Sequence, residues 1–197
     1  MKMMRNLVVS STGVVGMLLW PSAAFAHPMQ GVGDFYAGML HPVVTLESIL
    51  PIIALSLLAG QQARQTAIHL LCIFPAALVF GALLALFRPI LSQVGIIQLG
   101  LTALFGILVA LSRPLPVWFP IGLGGVLGIT VGWTTASEIT AEVSPYRFIA
   151  GLSVGGLLLI AYGIGVVRHL KTPWTQIAIR VVGSWIAAVG ILVSGLR

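Results

Sequence analysis

The apolar positions of this chain neither alternate nor recur every third or fourth residue; they run on in long blocks. Six blocks stand out: Phe35–Ala59, Thr66–Phe87, Ile90–Leu111, Val117–Thr134, Phe148–Val167 and Gln176–Leu196. Each is near the ~20 residues that an α-helix needs to cross ~30 Å of hydrocarbon. Their boundaries read "GQQARQ", "RPILSQ", "SRPLP", "SEITAEVSPYR" and "RHLKTP". Arginine, proline and small polar residues are the expected punctuation there, and no connection is long enough to fold as a soluble domain. A transmembrane barrel would alternate instead. The pattern predicts an all-α integral membrane protein, a bundle of six transmembrane helices.

Ahead of the first block, Lys2 and Arg5 precede an apolar run from Leu7 to Trp20, and "PSAAFA" closes on Ala24-Phe25-Ala26. A basic start, a short apolar core and a small-x-small end make a cleavable secretory signal. Residues 1–26 are therefore expected to be removed. That leaves residues 27–197 as a single six-helix transmembrane domain beginning His27-Pro28; an uncleaved first helix is the competing reading.

Cleavage places the new N-terminus outside, and the connections then alternate. Arg64, Arg113, Arg168, Lys171 and Arg180 fall to the inner face, and Arg88, Arg147 and Arg197 to the outer. This excess agrees with the positive-inside bias. Asp34, Glu138 and Glu142 fall outside. The expected location is the bacterial inner (cytoplasmic) membrane, multi-pass, with the mature N-terminus outside.

Composition strengthens the reading. Hydrophobic residues make up 58% of the chain and charged ones only 7%, with a mean hydropathy of +1.09. Soluble domains carry roughly 25% charged residues. The formal net charge of +6 needs no nucleic-acid partner, since two bases belong to the signal and most others set topology. The partner required is the lipid bilayer.

Within the fourth block, "GLGGVLGITVGW" puts Gly124, Gly128 and Gly132 on one ridge, and Gly151 and Gly155 repeat the spacing in the fifth. Such ridges let helix backbones approach closely where burial of apolar surface no longer drives association. Cys72 is the single cysteine, so no internal disulfide forms, and its setting suggests packing. The chain has no CxxC, P-loop, GxSxG or HExxH. Nothing here points to an enzyme or to a tightly bound cofactor.

The chemistry concentrates in "HPVVTLES", residues 41–48. On a regular helix His41, Thr45 and Ser48 share one stripe, and Glu47 borders it at about 120° from His41. Pro42 and Pro51 flank the segment, and each deletes a helical hydrogen bond. A bend could therefore bring Glu47 toward His41. An ionisable group inside the bilayer costs roughly 2.5–3.5 kcal/mol on insertion scales and normally faces a partner or a water-filled path. Glu47 is read as part of an ion path, against a plain protonated carboxyl bonded to a neighbouring helix. Imidazole with carboxylate suits borderline divalent ions such as nickel, cobalt, zinc and copper. If the signal is cleaved, the α-amine and imidazole of His27 add a terminal chelate. His69, near the inner face, would be at most an exit ligand, and His169 an interfacial residue.

These features together resemble the HupE/UreJ family: the Ala-x-Ala signal, the His-Pro start, six spans, and a His-Pro within "GDFYAGMLHPVVTLESILPIIALSLLAGQ". The resemblance implies a small membrane protein associated with nickel or cobalt uptake for hydrogenase and urease. The family's first-span pattern is His, five residues, then Asp-His. Here it reads His41, five residues, then Glu47-Ser48; Glu keeps the carboxylate and Ser removes a ligand. The family's second signature, a His-rich stretch in the fourth span, corresponds to "GWTTASEITAEVSP", which offers only oxygen ligands, among them Glu138 and Glu142.

The residues so assigned to a metal are His41, Glu47, His27, Ser48, Glu138 and Glu142. The function expected is that of a permease for a divalent transition-metal ion, nickel or cobalt by resemblance. The alternative is a non-transporting membrane accessory, or an assembly partner of a maturing metalloenzyme.

Overall fold

The computed structural model of the chain describes residues 33–87 and 94–195. The expected signal segment with its cleavage site, His27, Arg88 and Arg197 lie outside them. The described elements are all helices: α1 (Asp34–Val44), α2 (Leu46–Gln61), α3 (Arg64–Phe87), α4 (Val94–Leu111), α5 (Trp118–Ser137), α6 (Pro145–His169) and α7 (Pro173–Gly195). Five of them, α3 to α7, are each long and apolar enough to cross a membrane. The first predicted block is two helices rather than one, with α1 and α2 bent by 74°.

The bend has a local cause. After Pro42 come Val43, Val44 and Thr45, three β-branched residues that restrict rotamers and lower helix propensity. Thr45 leaves the helix at φ −100°, ψ 110°, and α2 starts immediately after it. Pro51 sits inside α2 without breaking it. It lacks the N–H that would reach the Glu47 carbonyl one turn back. The side-chain amide of Gln98 on α4, itself buried, donates to that carbonyl instead at 2.6 Å. Inside a membrane a freed backbone group must find such a substitute.

Three helix pairs are packed backbone to backbone by glycine. On α5, Gly124, Gly128 and Gly132 meet Leu70, Phe74 and Leu78 of α3, and a Cβ on Gly128 would lie 2.7 Å from the Phe74 carbonyl oxygen. The predicted ridge is therefore the α3·α5 seam. On α6, Gly151 and Gly155 meet the backbone of Phe35 and Met39 on α1, as the second ridge anticipated. The third pair, α4 with α7, closes at Gly106, Gly183 and Gly190.

These contacts also fix direction. The α3·α5 contacts advance together along both chains, so the two run parallel. Gly106 meets Gly183 and Ala187 while Gly190 meets Ala103, so α4 and α7 run antiparallel. Phe35, Met39, Ser56 and Gly60 meet Gly151, Gly155, Gly163 and Val167 in that order. Both α1 and α2 thus follow α6 in one sense, despite the bend.

Helix α2 is the hub, packed on α3, α4, α5, α6 and α7, and Ile52, Ala54, Leu55, Leu58 and Ala59 are fully buried. Outward faces carry large apolar side chains such as Phe80, Phe87, Trp174, Trp185 and Leu192, as lipid-facing positions should.

Charge is segregated along the bundle. One end holds Asp34, which accepts a hydrogen bond from the Ser144 N–H at 3.1 Å, and the Glu138–Glu142 loop. The other end holds Arg64, Arg113, Arg168 and Lys171. There Gln62 clamps the α4–α5 turn, donating to the Arg113 carbonyl at 3.2 Å and accepting from the Leu115 N–H at 2.9 Å. That turn leaves α4 through Ser112 at φ 51°, the left-handed geometry that ends many helices. The carbonyls of Val109 and Ala110 are met by Gln61 and Arg180.

Candidate cation site at the helix break

The break at Thr45 determines what surrounds His41. This histidine lies in the last turn of α1, where exposed carbonyl ends favour positive charge. Its ring packs edge-on against Phe148 of α6, with centroids 5.7 Å apart. Its Nε2 is 3.3 Å from the Thr45 hydroxyl, so the first step of the expected polar stripe survives the bend. It also approaches Glu138 Oε2 at 3.9 Å.

Glu138 is the residue that closes α5, and the glycine packing of α5 and α6 delivers it across the sequence to α1. Its carboxyl is held above the usual carboxylate range, first by burial and then by the negative charge of Glu47. That electrostatic link places Glu47 in the same neighbourhood. Glu47 occupies the first turn of α2, where the helix dipole favours an anion. Its side chain is exposed, whereas that of Ser48 is buried. The two residues at the altered motif position therefore point to different surroundings.

Behind this group lies a chain of amides and hydroxyls. Thr134 on α5 donates to Gln98 Oε1 at 3.3 Å, and Gln98 donates onward to the Glu47 carbonyl. The neck of α2 is thereby tied to α4 and α5. Glu142 is exposed on the loop after α5. His69 and His169 are exposed, on the first turns of α3 and at the end of α6. Cys72 is exposed on α3. Among the described residues no three His, Cys, Asp or Glu side chains converge closely enough to hold a metal ion by themselves. What the fold assembles is a pair, His41 with Glu138, with Glu47 acting on it through charge.

A family model described as HupE / UreJ protein matches residues 15–193. The chain belongs to the HupE/UreJ family. No curated protein and no solved structure matches it. For a HupE/UreJ chain, the two motif regions of the sequence, around His41–Ser48 and around Trp133–Glu142, are now seen to meet in space through His41 and Glu138. Sequence reasoning assigned both residues but not their contact, which spans 97 positions. It missed Gln98 entirely, and counted Thr134 only among the oxygen ligands of "GWTTASEITAEVSP". The available signal was a lone amide in the otherwise apolar "VGIIQLGLTALFG", since polar side chains within spans usually bond across helices.

Proposed function

We propose that this HupE/UreJ chain is a permease for a divalent transition-metal ion, with nickel or cobalt as the cargo that the family's association with their uptake favours. The observation that carries the reading is the approach of His41 Nε2 to Glu138 at 3.9 Å, beside a helix broken at Thr45. Membrane transporters commonly bind ions at discontinuous helices, and ionisable side chains within spans mark ion pathways. His41 supplies a nitrogen ligand, and Glu138 and Glu47 supply anionic oxygen. Hydrated metal completes its shell with water, which suits a site that must release its ion.

In this reading α1 and α2 are one interrupted span, for a total of six. Support comes from their shared direction along α6, where Gly151 to Val167 rises about 24 Å, close to a bilayer's hydrocarbon thickness. The signal is cleaved after Ala26, which leaves His27 as the mature N-terminus, its α-amine and imidazole free to bind an ion outside. Glu142 extends the acidic rim, and Ser48 lies beneath the site. The acidic end faces outside and the basic end the cytoplasm, in the inner membrane. The chain transports and does not catalyse.

Uptake of nickel and cobalt by cells expressing wild-type protein or Glu47→Gln tests this. The change keeps size and hydrogen bonding and removes the charge. Lost uptake at unchanged protein level and melting temperature supports the permease. Wild-type uptake no higher than in cells without the protein would favour the accessory role, in which the absence of a three-ligand cluster among the described residues is no handicap.

A further inference from the structure

The basic end of the bundle contains a cleft of about 390 Å³ between the end of α2, the start of α3 and the α6–α7 turn. From Phe148, which packs on His41, to Arg168 in this cleft is about 30 Å along α6. Three cations line it, Arg64, Arg168 and Lys171, together with the amides of Gln61, Gln62 and Gln176. Among the described residues no carboxylate does. Gathering three like charges around one hollow is unfavourable unless an anion enters it.

Two buried atoms sharpen the point. Arg168 Nε is buried without a hydrogen-bond partner, while its Nη2 makes only a long contact of 3.4 Å to the Gln62 carbonyl. A buried, unmet guanidinium N–H is uncommon and calls for an acceptor. Gln61 Oε1 is also buried and unmet, although its amide nitrogen donates to the Val109 carbonyl at 3.2 Å. The residues that line the cleft therefore include a charged donor and a neutral acceptor, both unmet. Helix α3 begins at Arg64, so the positive end of its dipole also lies at the cleft.

We propose that this cleft binds a phosphate group, as carried by an anionic phospholipid headgroup or by free inorganic phosphate. Arg168 donates from Nε to a phosphate oxygen, and the guanidinium geometry suits that acceptor. Lys171 and Arg64, both exposed, close over the remaining oxygens. Gln61 Oε1 accepts a hydrogen bond from a hydroxyl, the P–OH of inorganic phosphate or the glycerol of a phosphatidylglycerol headgroup. The ligand would tie α2, α3 and the α6–α7 turn together at the end remote from His41.

Full-length protein in detergent tests this by thermal unfolding during titration with dioctanoyl phosphatidylglycerol, dioctanoyl phosphatidylcholine, or inorganic phosphate, with sodium chloride matching ionic strength. The expected result is a saturable rise in melting temperature with phosphatidylglycerol, with phosphate, or with both. A response to the lipid alone identifies a headgroup site, and one to phosphate identifies a soluble-anion site. Arg168→Gln should weaken apparent affinity about tenfold, as loss of a charged hydrogen bond does. The exposed Lys171→Gln, which does not threaten folding, should weaken it by less. Arg147→Gln at the other end should leave it unchanged. No rise beyond the chloride and phosphatidylcholine controls would overturn the proposal. So would equal weakening by Arg147→Gln and Lys171→Gln.

Discussion

The α3·α5 seam and the α1–α2 break lie in one bundle and solve opposite problems. Along the seam Gly124, Gly128 and Gly132 face Leu70, Phe74 and Leu78 at matching four-residue steps, and α3 runs on unbroken through Pro75. At the break Pro42 and three β-branched residues interrupt the helix, and just beyond it a buried glutamine from another helix supplies the hydrogen bond that Pro51 deletes inside α2. The seam carries no ionisable group; the break gathers His41, Glu47 and Glu138. Rigid backbone packing elsewhere allows irregular, polar backbone to persist here, because it holds Gln98 where its amide meets the carbonyl that Pro51 frees.

The largest effect should come from filling the seam. Gly132→Leu would drive a side chain into the Leu78 backbone, which cannot yield, and should destabilise by about 3 kcal/mol, the upper range for overpacking. Thermal unfolding in detergent would show it, alongside Gly122→Leu, whose position is open and should change little. Equal losses at both positions would mean that the seam is not specially tight.

Next is the repair at the break. Gln98→Leu strips the Glu47 carbonyl of its donor and should cost about 1–3 kcal/mol, the penalty for an unmet buried group. Pro51→Ala restores the backbone N–H, so Gln98→Leu in that background should cost clearly less. Additive losses would show that Gln98 acts through something other than the proline gap.

A smaller effect concerns pH. The Glu138 carboxyl is raised by burial and by the charge of Glu47, so protons compete with metal for it at a higher pH than for an ordinary carboxylate. Binding should fall as pH drops through that raised value. Glu47→Gln removes the like charge and should move this acid limb to lower pH, even while weakening binding overall. A metal titration repeated across pH would reveal it, and an unmoved or upward-moved limb would deny the coupling.

These residues also show what the sequence made legible. The glycine ridges were readable because four-residue spacing on a continuous helix maps directly to one face. Proline marked the first span as bent, but its position at Thr45 followed from the β-branched run after Pro42, while Pro51 was absorbed without a bend. That absorption depends on Gln98, a residue two helices away, and no local pattern shows which carbonyl a distant amide will reach. For the same reason His41 and Glu138 were each visible as ligands, yet their approach depends on how α5 and α6 pack against α1. His27 and the expected cleavage site fall outside the described residues.

The central claim is that His41 and Glu138 hold one ion together. A double-mutant cycle on nickel and cobalt affinity, measured calorimetrically on purified wild type, His41→Gln, Glu138→Gln and the double variant, tests it most directly. Each single change should weaken binding at least about tenfold, and the double variant should be scarcely worse than either, a coupling of about 1.4 kcal/mol or more. Losses that simply add, or a Glu138→Gln protein that binds as wild type, would contradict it.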